Sequence, residues 1–309
     1  MVDRISKDAL GPLIQIGKGG EGVVYRAPEF RFGDGSQAYV YKEYKNRQIN
    51  ATALDRIVDA PKSIGARRQA VVMLRSVWPV AVVMYDDHHL AGVLMPLIPD
   101  RFFHQATLRT RTKLLDRQVQ HLMVAADKNR AIGISHADRA FRLRICRDIA
   151  YVFGLLHGGK IVFGDVNARN ILYSLEPTPQ VCLLDCDGVR VQGQAPVTQQ
   201  LHSPDWEPPD DRGTQNVSTD LYKLGLMFLR ILVPGDGSST NRDPAPARGA
   251  LDQDGRELLE RALGAKGQRP TAKDWFEYFN ATITGNMPTQ RTTGWVRGKH
   301  GQWVRAPLR

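Results

Sequence analysis

The first hundred residues alternate between short apolar runs and polar turns, which is the pattern of β-strands. The runs are rich in β-branched and aromatic side chains, and clusters of glycine, aspartate and histidine separate them. One segment departs from this pattern: residues 51–75 have apolar positions at helical spacing, although Pro61 and Gly65 interrupt it. The predicted strands are residues 12–16, 23–26, 38–44, 80–84 and 90–98.

Beyond residue 99 the apolar positions recur mainly at helical spacing. Gly158-Gly159 and Pro234 end two of these runs, and Ser218 is the expected N-cap of the second. Strands that come first and helices that follow predict an α+β fold with two lobes. The predicted elements are helices over residues 137–157, 221–232, 255–264 and 271–282 and strands over residues 160–163 and 181–184.

After residue 282 the chain is polar and basic, and it carries Trp-Val-Arg twice, at 295–297 and 303–305. The Gly-Lys-His-Gly sequence at 298–301 predicts a hairpin turn between them. The favoured interpretation is that the two tryptophans pin this tail onto the domain. A docking or regulatory segment is the alternative.

Composition narrows the class of protein. The 309 residues are 42% hydrophobic and 24% charged, which is ordinary for a globular chain. No apolar run approaches the roughly 20 residues that a membrane-spanning helix needs, and charges interrupt the N-terminal segment where a signal peptide is apolar. We therefore expect a cytoplasmic protein.

The cysteines are odd in number and form no CxxC pair, which argues against a disulfide framework and structural zinc. They are Cys146, Cys182 and Cys186.

The chain is basic, with 42 Lys and Arg against 32 Asp and Glu and a net charge of +10. The positive residues are scattered along the sequence, so this excess does not favour a nucleic-acid-binding protein. A basic surface is equally suited to a protein that handles anionic nucleotides or acidic partners.

The first chemical signal is a glycine-rich turn at residues 17–22, Gly-Lys-Gly-Gly-Glu-Gly. Such glycines let backbone N–H groups approach a polyphosphate. A dinucleotide-binding turn shares this pattern but opens a helix, whereas here residues 23–25 continue as a strand. Lys42 follows on the next strand, where its ammonium can neutralise phosphate oxygens beneath the turn.

The second signal consists of two loops that follow short strands. Asp165 and Asn170 stand five residues apart in one loop, where a carboxylate can accept a hydrogen bond from an attacking hydroxyl and an amide can offer oxygen to Mg²⁺. The apolar run 181–184 ends in Asp185 and Asp187, which suit a hard divalent cation. Each loop taken alone is also compatible with an ordinary polar turn.

The glycine turn, the strand lysine, the Asp-x-x-x-x-Asn loop and the strand-end aspartate resemble, in this order, the signature set of protein kinases. The resemblance extends over about residues 10–282. Residues 203–210 look like the end of an activation segment, residues 220–225 look like the helix with an Asp-x-Trp-x-x-Gly motif, and Arg269 looks like the late arginine that pairs with the acid ending that segment.

Within this family the chain is similar to bacterial eukaryotic-like kinases with Gly-Asp-Val-Asn in the catalytic loop, here at 164–167, and Asp-x-Asp at the metal position, here at 185–187. Some of those kinases accompany tellurium-resistance-type phosphorylation operons. The resemblance therefore implies operon-encoded proteins as partners.

The resemblance also implies a role for each signature residue. Lys42 holds the α- and β-phosphates of ATP, and Asp165 positions the acceptor hydroxyl. Asn170 and Asp185 hold Mg²⁺, with Mn²⁺ as the alternative ion. Met95 takes the gatekeeper position, before a hinge whose backbone contacts adenine. The implied nucleotide-binding set is Gly17, Lys18, Gly19, Gly20, Glu21, Gly22, Val24, Lys42, Met95, Pro96, Ile98 and Asp185.

Two departures concern the charges around the nucleotide. No glutamate stands in the first helix to pair with Lys42, so Asp59, or with less support Asp55, is the expected carboxylate. Asp187 replaces the family's usual glycine and offers a second metal ligand. Asp185 is the preferred one because it directly ends the strand.

Two further departures concern the acceptor side. Gly164 stands where many kinases have arginine, so control through a phosphate on the activation segment is not expected. Asn167 replaces the lysine of serine/threonine kinases, and Arg169 is the candidate substitute that contacts the transferred phosphate. Three hydroxyls are candidate autophosphorylation sites, although ordinary loop hydroxyls are the favoured interpretation: Thr198, Ser203 and Thr214.

The sequence thus predicts an ATP- and Mg²⁺-dependent protein kinase that phosphorylates serine or threonine hydroxyls of a protein and of itself. A pseudokinase that binds nucleotide as a signalling scaffold is one alternative, favoured by the missing helix glutamate. A small-molecule kinase is the other, and residues 208–210 together with Arg269 speak against it. The predicted division is an N-lobe over 1–98, a C-lobe over 99–282 and a tail over 283–309.

Overall fold

The computed structural model of the protein describes residues 2–46, 48–108, 111–134, 137–210, 213, 215–286, 295–298 and 303–305. Within these residues the fold is mixed α/β, with a six-stranded sheet before residue 98 and most helices after it. The fold is therefore compatible with the predicted α+β class. Over the same residues, no helix combines the length and apolar character needed to cross a membrane.

One sheet contains β1 (Arg4–Ser6), β2 (Ile14–Lys18), β3 (Gly22–Arg26), β4 (Tyr39–Tyr44), β5 (Ala81–Met84) and β6 (Leu90–Pro96). Its order is β1-β5-β6-β4-β3-β2, and only the β1–β5 pair is parallel. Five of these strands confirm the predicted ones. The sequence does not predict β1, because three residues are too few to show an alternation.

Side chains of this sheet alternate between two cores, as a period of two requires. Val40, Val93 and Met95 pack into the main core, which continues through the helices that follow. Tyr41 and Leu94 turn the other way, into a smaller cluster. The sheet is therefore covered on both faces near the strands that carry Lys42 and the predicted hinge.

The helical segment predicted at 51–75 forms two helices, α1 (Ala51–Asp59) and α2 (Ala66–Leu74). Pro61 lies in the 3₁₀ turn between them, and Gly65 has a φ of 85°. Proline cannot continue the hydrogen bonds of a helix interior, and a positive φ suits glycine. The predicted interruption is confirmed.

A two-stranded ribbon, β7 (Phe103–Leu108) and β8 (Arg111–Asp116), follows the sheet. The sequence does not predict it. The first four residues of β8 are exposed, including Leu114 at 60%. In β7 the buried positions include His104 together with Ala106, so burial there does not follow an alternation of apolar and polar residue types.

The later helices are α3 (Ala126–Ala131), α4 (Arg139–Gly158), α5 (Val217–Leu232), α6 (Gln253–Leu263) and α7 (Ala272–Thr284). The last four confirm the predicted helices. The predicted cap of α5 is wrong: Ser218 lies inside the first turn. The N-cap is Asn216, whose side chain accepts the N–H of Thr219 while the Thr219 hydroxyl accepts the N–H of Asn216. Ser218 loses this role because an amide two residues earlier completes the reciprocal box.

Two short strand pairs lie between α4 and α5. β9 (Ile161–Val162) pairs with β12 (Arg190–Val191), and β10 (Ile171–Ser174) pairs with β11 (Gln180–Leu183). β9 and β11 confirm the two predicted strands. The loops that leave them hold the predicted acidic residues, so the pairing brings both loops to one region.

In the tail, β13 (Trp295–Arg297) and β14 (Trp303–Arg305) pair antiparallel, which confirms the predicted hairpin strands. Residues 299–301 of the predicted turn lie outside the described residues. Trp303 is buried, and its carbonyl oxygen accepts a hydrogen bond from the Gln268 side chain at 2.9 Å. This contact agrees with a tail pinned onto the domain.

Candidate functional site

A pocket of about 630 Å³ brings together residues that are distant in sequence. It lies where β3, β4 and the end of β6 face the loops after β9 and β11 and the segment 198–204. Several predicted site residues line it: Gly19, Gly20, Glu21, Gly22, Val24, Lys42, Met95, Pro96, Ile98, Asp165 and Asp185. Others lie outside its lining: Gly17 and Lys18 on β2, and Arg169, Asn170 and Asp187 behind or beside it.

The glycine-rich turn between β2 and β3 closes one side of this pocket. The N–H of Gly19 donates to the carbonyl of Gly22 at 2.9 Å. A Cβ on Gly22 would lie 2.5 Å from the carbonyl oxygen of Glu43, so the close approach of β3 and β4 requires glycine there. At Gly19 and Gly20 an added Cβ would meet nothing within 4 Å. A ligand therefore meets no side chain at these two positions, although the N–H of Gly19 is bonded to Gly22 and its carbonyl accepts from Lys45 Nζ.

Lys42 lies on β4 and is buried among three carboxylates. Its Nζ is 2.9 Å from Asp187, 3.3 Å from Asp185 and 3.5 Å from Glu21. Burial by itself would lower the pKa of Lys42, but the carboxylates of Asp187 and Asp185 outweigh burial and raise that pKa above its usual 10.5. The ammonium is therefore charged at any working pH.

The structure contradicts the partners predicted for Lys42. The carboxylate of Asp55 pairs with Arg4 at 2.7 Å, and that of Asp59 pairs with Lys62 at 2.6 Å. Both aspartates lie on α1 and are engaged with cations at the surface. A carboxylate from the loop after β11, Asp187, reaches Lys42 in their place.

Asp185 and Asp187 follow β11 closely but have different surroundings. Asp187 is 2% exposed, its Oδ1 accepts from Lys42 Nζ at 3.0 Å, and its Oδ2 accepts from the Tyr44 hydroxyl at 2.9 Å. The Asp185 side chain is 55% exposed and lines the pocket. Asp185 therefore has room for a ligand, whereas both oxygens of Asp187 are already bonded to protein donors.

Asp165 follows β9, and both its carboxylate oxygens accept hydrogen bonds. Oδ1 accepts from the Ser203 hydroxyl at 2.6 Å, and Oδ2 accepts from Asn170 Nδ2 at 2.8 Å. Among the described residues, nothing donates to Oδ1 of Asn170, so this oxygen is left for a ligand. Of the other hydroxyls predicted as candidates, Thr198 lines the pocket and Thr214 lies outside the described residues.

Helix α5 fixes the loop that carries Asp165. The carboxylate of Asp220 accepts the backbone N–H of Phe163 at 2.8 Å and of Gly164 at 2.9 Å. Lys223, one turn later, donates to the carbonyl of Gly164 at 2.6 Å. Burial lowers the pKa of Lys223, and the nearby carboxylate of Asp220 opposes that effect. Two fully buried side chains thus set the backbone immediately before Asp165.

Asn167 and Arg169 lie in the same loop as Asp165 but make different contacts. Asn167 Nδ2 lies 3.2 Å from the Ser203 hydroxyl and 3.3 Å from the Asp165 carbonyl, so it links the Asp165 loop to Ser203. Arg169 is exposed, and its Nε points to the Gln120 side chain at 3.4 Å. This arrangement does not bring Arg169 to the pocket, so it lends no support to the predicted phosphate contact.

The end of β6 forms the apolar side of the pocket. Met95 is buried opposite Val40, and β6 ends at Pro96, which pairs with Tyr39. The N–H of Leu97 donates back to Ala38, whereas no backbone hydrogen bond within the described residues involves Ile98. The backbone at the predicted hinge is therefore available to a ligand.

The segment that follows the pocket is tied down by an ion pair. The guanidinium of Arg269 bonds to the carboxylate of Asp210 and donates to the carbonyl of Ser218 at 3.0 Å. Lys266 N–H donates to the same carboxylate at 2.7 Å. The predicted pairing of the late arginine with Asp210 is confirmed.

Sequence reasoning missed the contact between Tyr44 and Asp187. One signal was available: Tyr44 stands two residues after Lys42 on a strand, and such residues share a face. Comparison with protein-family models and with curated proteins found no match to this chain. Its function therefore has to be inferred from the geometry of the pocket.

Proposed function

We propose that this protein is an ATP- and Mg²⁺-dependent protein kinase with the two-lobed kinase fold, divided near residue 98. The observation that carries the proposal is the meeting of Lys42, Asp165 and Asp185 in one pocket beside the glycine-rich turn. These residues come from three separate segments, and each has the chemistry that phosphoryl transfer needs at its place.

The pocket suits a nucleotide at both ends. Gly19 and Gly20, which place no side chain in the way of a ligand, and the ammonium of Lys42 line the same pocket, which suits a polyphosphate. Apolar side chains, including Val24 and Met95, line the other region next to the free backbone of Ile98. An adenine needs such a sandwich of apolar groups with a few backbone polar groups at its edge.

The donor set fits a magnesium ion. Asp185 and the free oxygen of Asn170 are hard ligands, and Mg²⁺ commonly binds through one or two carboxylates together with substrate phosphates. In the described part of the chain, no cluster of three or more His, Cys, Asp or Glu side chains is placed to hold a metal by itself. When bound with the nucleotide, the ion would neutralise charge on the phosphates.

Asp165 provides the acceptor chemistry. A hydroxyl that donates to its carboxylate has its oxygen held toward the nucleotide side of the pocket. That oxygen bonds to the γ-phosphorus, the bond to the β–γ bridging oxygen breaks, and the hydroxyl proton passes to Asp165. The Ser203 hydroxyl, 2.6 Å from Asp165, supports an aliphatic alcohol as the acceptor type.

A nucleotide-binding scaffold that transfers no phosphate is the second candidate. The observation that favours it is the absence of any carboxylate from α1 or α2 among the described partners of Lys42. Asp187 supplies a buried partner instead, and we therefore rank the scaffold second.

The test is phosphate incorporation from labelled ATP with Mg²⁺ into the full chain and into generic protein acceptors. We expect incorporation in the wild type and its loss, by about 10³-fold or more, in Asp165→Asn. Asp236→Asn, an exposed aspartate away from the pocket, is the matched control. Wild-type activity in Asp165→Asn would contradict the proposal, and transfer only to small alcohols would replace it with a small-molecule kinase.

A further inference from the structure

Tyr44 is placed to act on Lys42 through a third residue. Both lie on β4 two positions apart, so their side chains leave the same face of the strand. The Tyr44 hydroxyl donates to Asp187 Oδ2 at 2.9 Å, and Lys42 Nζ is 2.9 Å from that same oxygen. The phenol and the ammonium therefore share one carboxylate.

This carboxylate depends on both donors. Asp187 is 2% exposed, and a buried carboxylate is costly unless its oxygens are hydrogen-bonded. Lys42 contacts both oxygens, whereas Tyr44 contacts only Oδ2 from a second direction. Two donors from different directions fix the orientation of a carboxylate that one donor would leave free to rotate.

Among the described residues, no other buried carboxylate holds the ammonium of Lys42. Its two remaining carboxylates, Glu21 and Asp185, are 69% and 55% exposed at their side chains. Exposed ion pairs contribute little and hold their geometry poorly. Within the described residues, the position of the Lys42 ammonium is thus set by Asp187.

We infer that Tyr44 is a positioning residue for nucleotide binding: it orients Asp187, and Asp187 holds Lys42 toward the phosphates. This inference rests on the proposed role of Lys42 as a phosphate ligand. Tyr44 does not line the main pocket and touches no reacting atom. The Tyr44 ring also lies near the ammonium, with Lys42 Nζ 5.9 Å from the ring centroid, but the hydroxyl bonds to Asp187 and its effect passes through that carboxylate.

The first test is Tyr44→Phe, which removes the hydroxyl and keeps the ring. Binding of a non-hydrolysable ATP analogue with Mg²⁺ is measured by calorimetry, well below the melting temperature. We expect the dissociation constant to rise about tenfold, which corresponds to ~1.4 kcal/mol. In turnover, KM for ATP rises while kcat changes little, because the Asp165 side is untouched.

Tyr85→Phe is the matched control. Its hydroxyl also bonds to a carboxylate, that of Glu43, but neither residue lines the pocket. We expect this variant to bind the analogue like the wild type. A general loss of sheet stability would affect both variants alike.

The second test is a double-mutant cycle with Asp187→Asn. Because Tyr44 acts through Asp187, the double variant should bind the analogue no more weakly than Asp187→Asn alone. Fully additive losses would overturn the inference, and so would wild-type affinity in Tyr44→Phe. A purely structural role of the phenol would lower the melting temperature without this dependence on Asp187.

The binding readout separates this inference from the proposed function. If the wild type binds the analogue but transfers no phosphate, the kinase proposal fails, and the cycle still decides the role of Tyr44. If the wild type binds no nucleotide, both are overturned. If transfer occurs and the cycle is additive, only the role of Tyr44 is rejected.

Discussion

Two buried charged networks border the same pocket and are built in opposite ways. Beneath the Asp165 loop, Asp220 and Lys223 are fully buried and bond to the backbone of Phe163 and Gly164. Around Lys42, every charged partner is a side chain, and two of the three are mostly exposed. The first network holds a loop in place, whereas the second surrounds a cation.

The difference between the networks separates a fixed part of the pocket from an exchangeable part. Backbone hydrogen bonds to a buried carboxylate leave the loop one conformation, because any other conformation would leave buried N–H groups unpaired. The Lys42 ammonium can exchange its two exposed partners, Glu21 and Asp185, for the oxygens of a ligand. The Asp165 side of the pocket is therefore preorganised, and the Lys42 side can change partners.

The largest effect should come from breaking the fixed network. Asp220→Ala leaves two buried N–H groups without an acceptor and Lys223 without its nearest carboxylate. We expect the free energy of unfolding to fall by about 3–5 kcal/mol in urea titrations. Asp220→Asn, which keeps one acceptor oxygen, should lose less, and the surface control Asp236→Ala should stay within about 0.5 kcal/mol. Equal losses in Asp220→Ala and the control would show that the loop is held elsewhere.

A smaller effect on stability is expected from Lys42→Met. Methionine keeps a side chain of similar volume but leaves the buried Asp187 carboxylate without its cation. We expect unfolding free energy to fall by about 2–3 kcal/mol, because the carboxylate loses a charged hydrogen bond. Thermal denaturation should also show that Mg·ATP stabilises the wild type and not the variant.

Adding Asp187→Asn to Lys42→Met tests the same network from the other side. The double variant should regain part of the lost stability, because no buried charge is left unpaired. Further destabilisation would mean that Asp187 does not depend on Lys42.

The smallest effect concerns the Asp210–Arg269 pair outside both networks. Burial would raise the pKa of Asp210, but the hydrogen bonds from Arg269 and from the Lys266 N–H, together with the charge of Arg269, outweigh burial and hold that pKa below the usual 3.8. A lowered folded-state pKa adds stability above the usual pKa, and that stability is lost as pH falls through the folded value. Asp210→Asn should therefore cost about 1–2 kcal/mol near neutral pH.

The measurement that checks this prediction is how the loss of unfolding free energy in Asp210→Asn changes with pH. In urea titrations at about pH 6 and about pH 3, the difference between wild type and Asp210→Asn should shrink at the lower pH. A difference that is constant with pH would assign the effect to the shape of the side chain and not to its charge.

The sequence predicts features that depend on local spacing. The glycine turn, the strand with Lys42 and the break at Pro61 follow from periodicity and backbone chemistry, and each is found where expected. The β7–β8 ribbon is missed because β8 is largely exposed and because a histidine, His104, is among the buried residues of β7. Fold elements are thus predictable where burial leaves a repeating pattern.

The ion pairs within the site are less predictable from the sequence than the fold elements are. The carboxylate of Asp187 bonds to Lys42 across 145 positions of sequence, whereas the nearer Asp55 and Asp59 pair with surface cations. Ion pairs are set by the packing of elements against each other, and spacing along the chain carries no information about that packing. The Asp210–Arg269 pair was predicted only because a resemblance supplied it.

The origin of Asp187 has a consequence for control of the protein. The residue that holds Lys42 and the residue proposed to hold the metal come from the same short turn after β11. Helix α1 gives Lys42 no carboxylate among the described residues, but it packs against this turn. A shift of the turn would therefore move the partner of the lysine and the proposed metal ligand together.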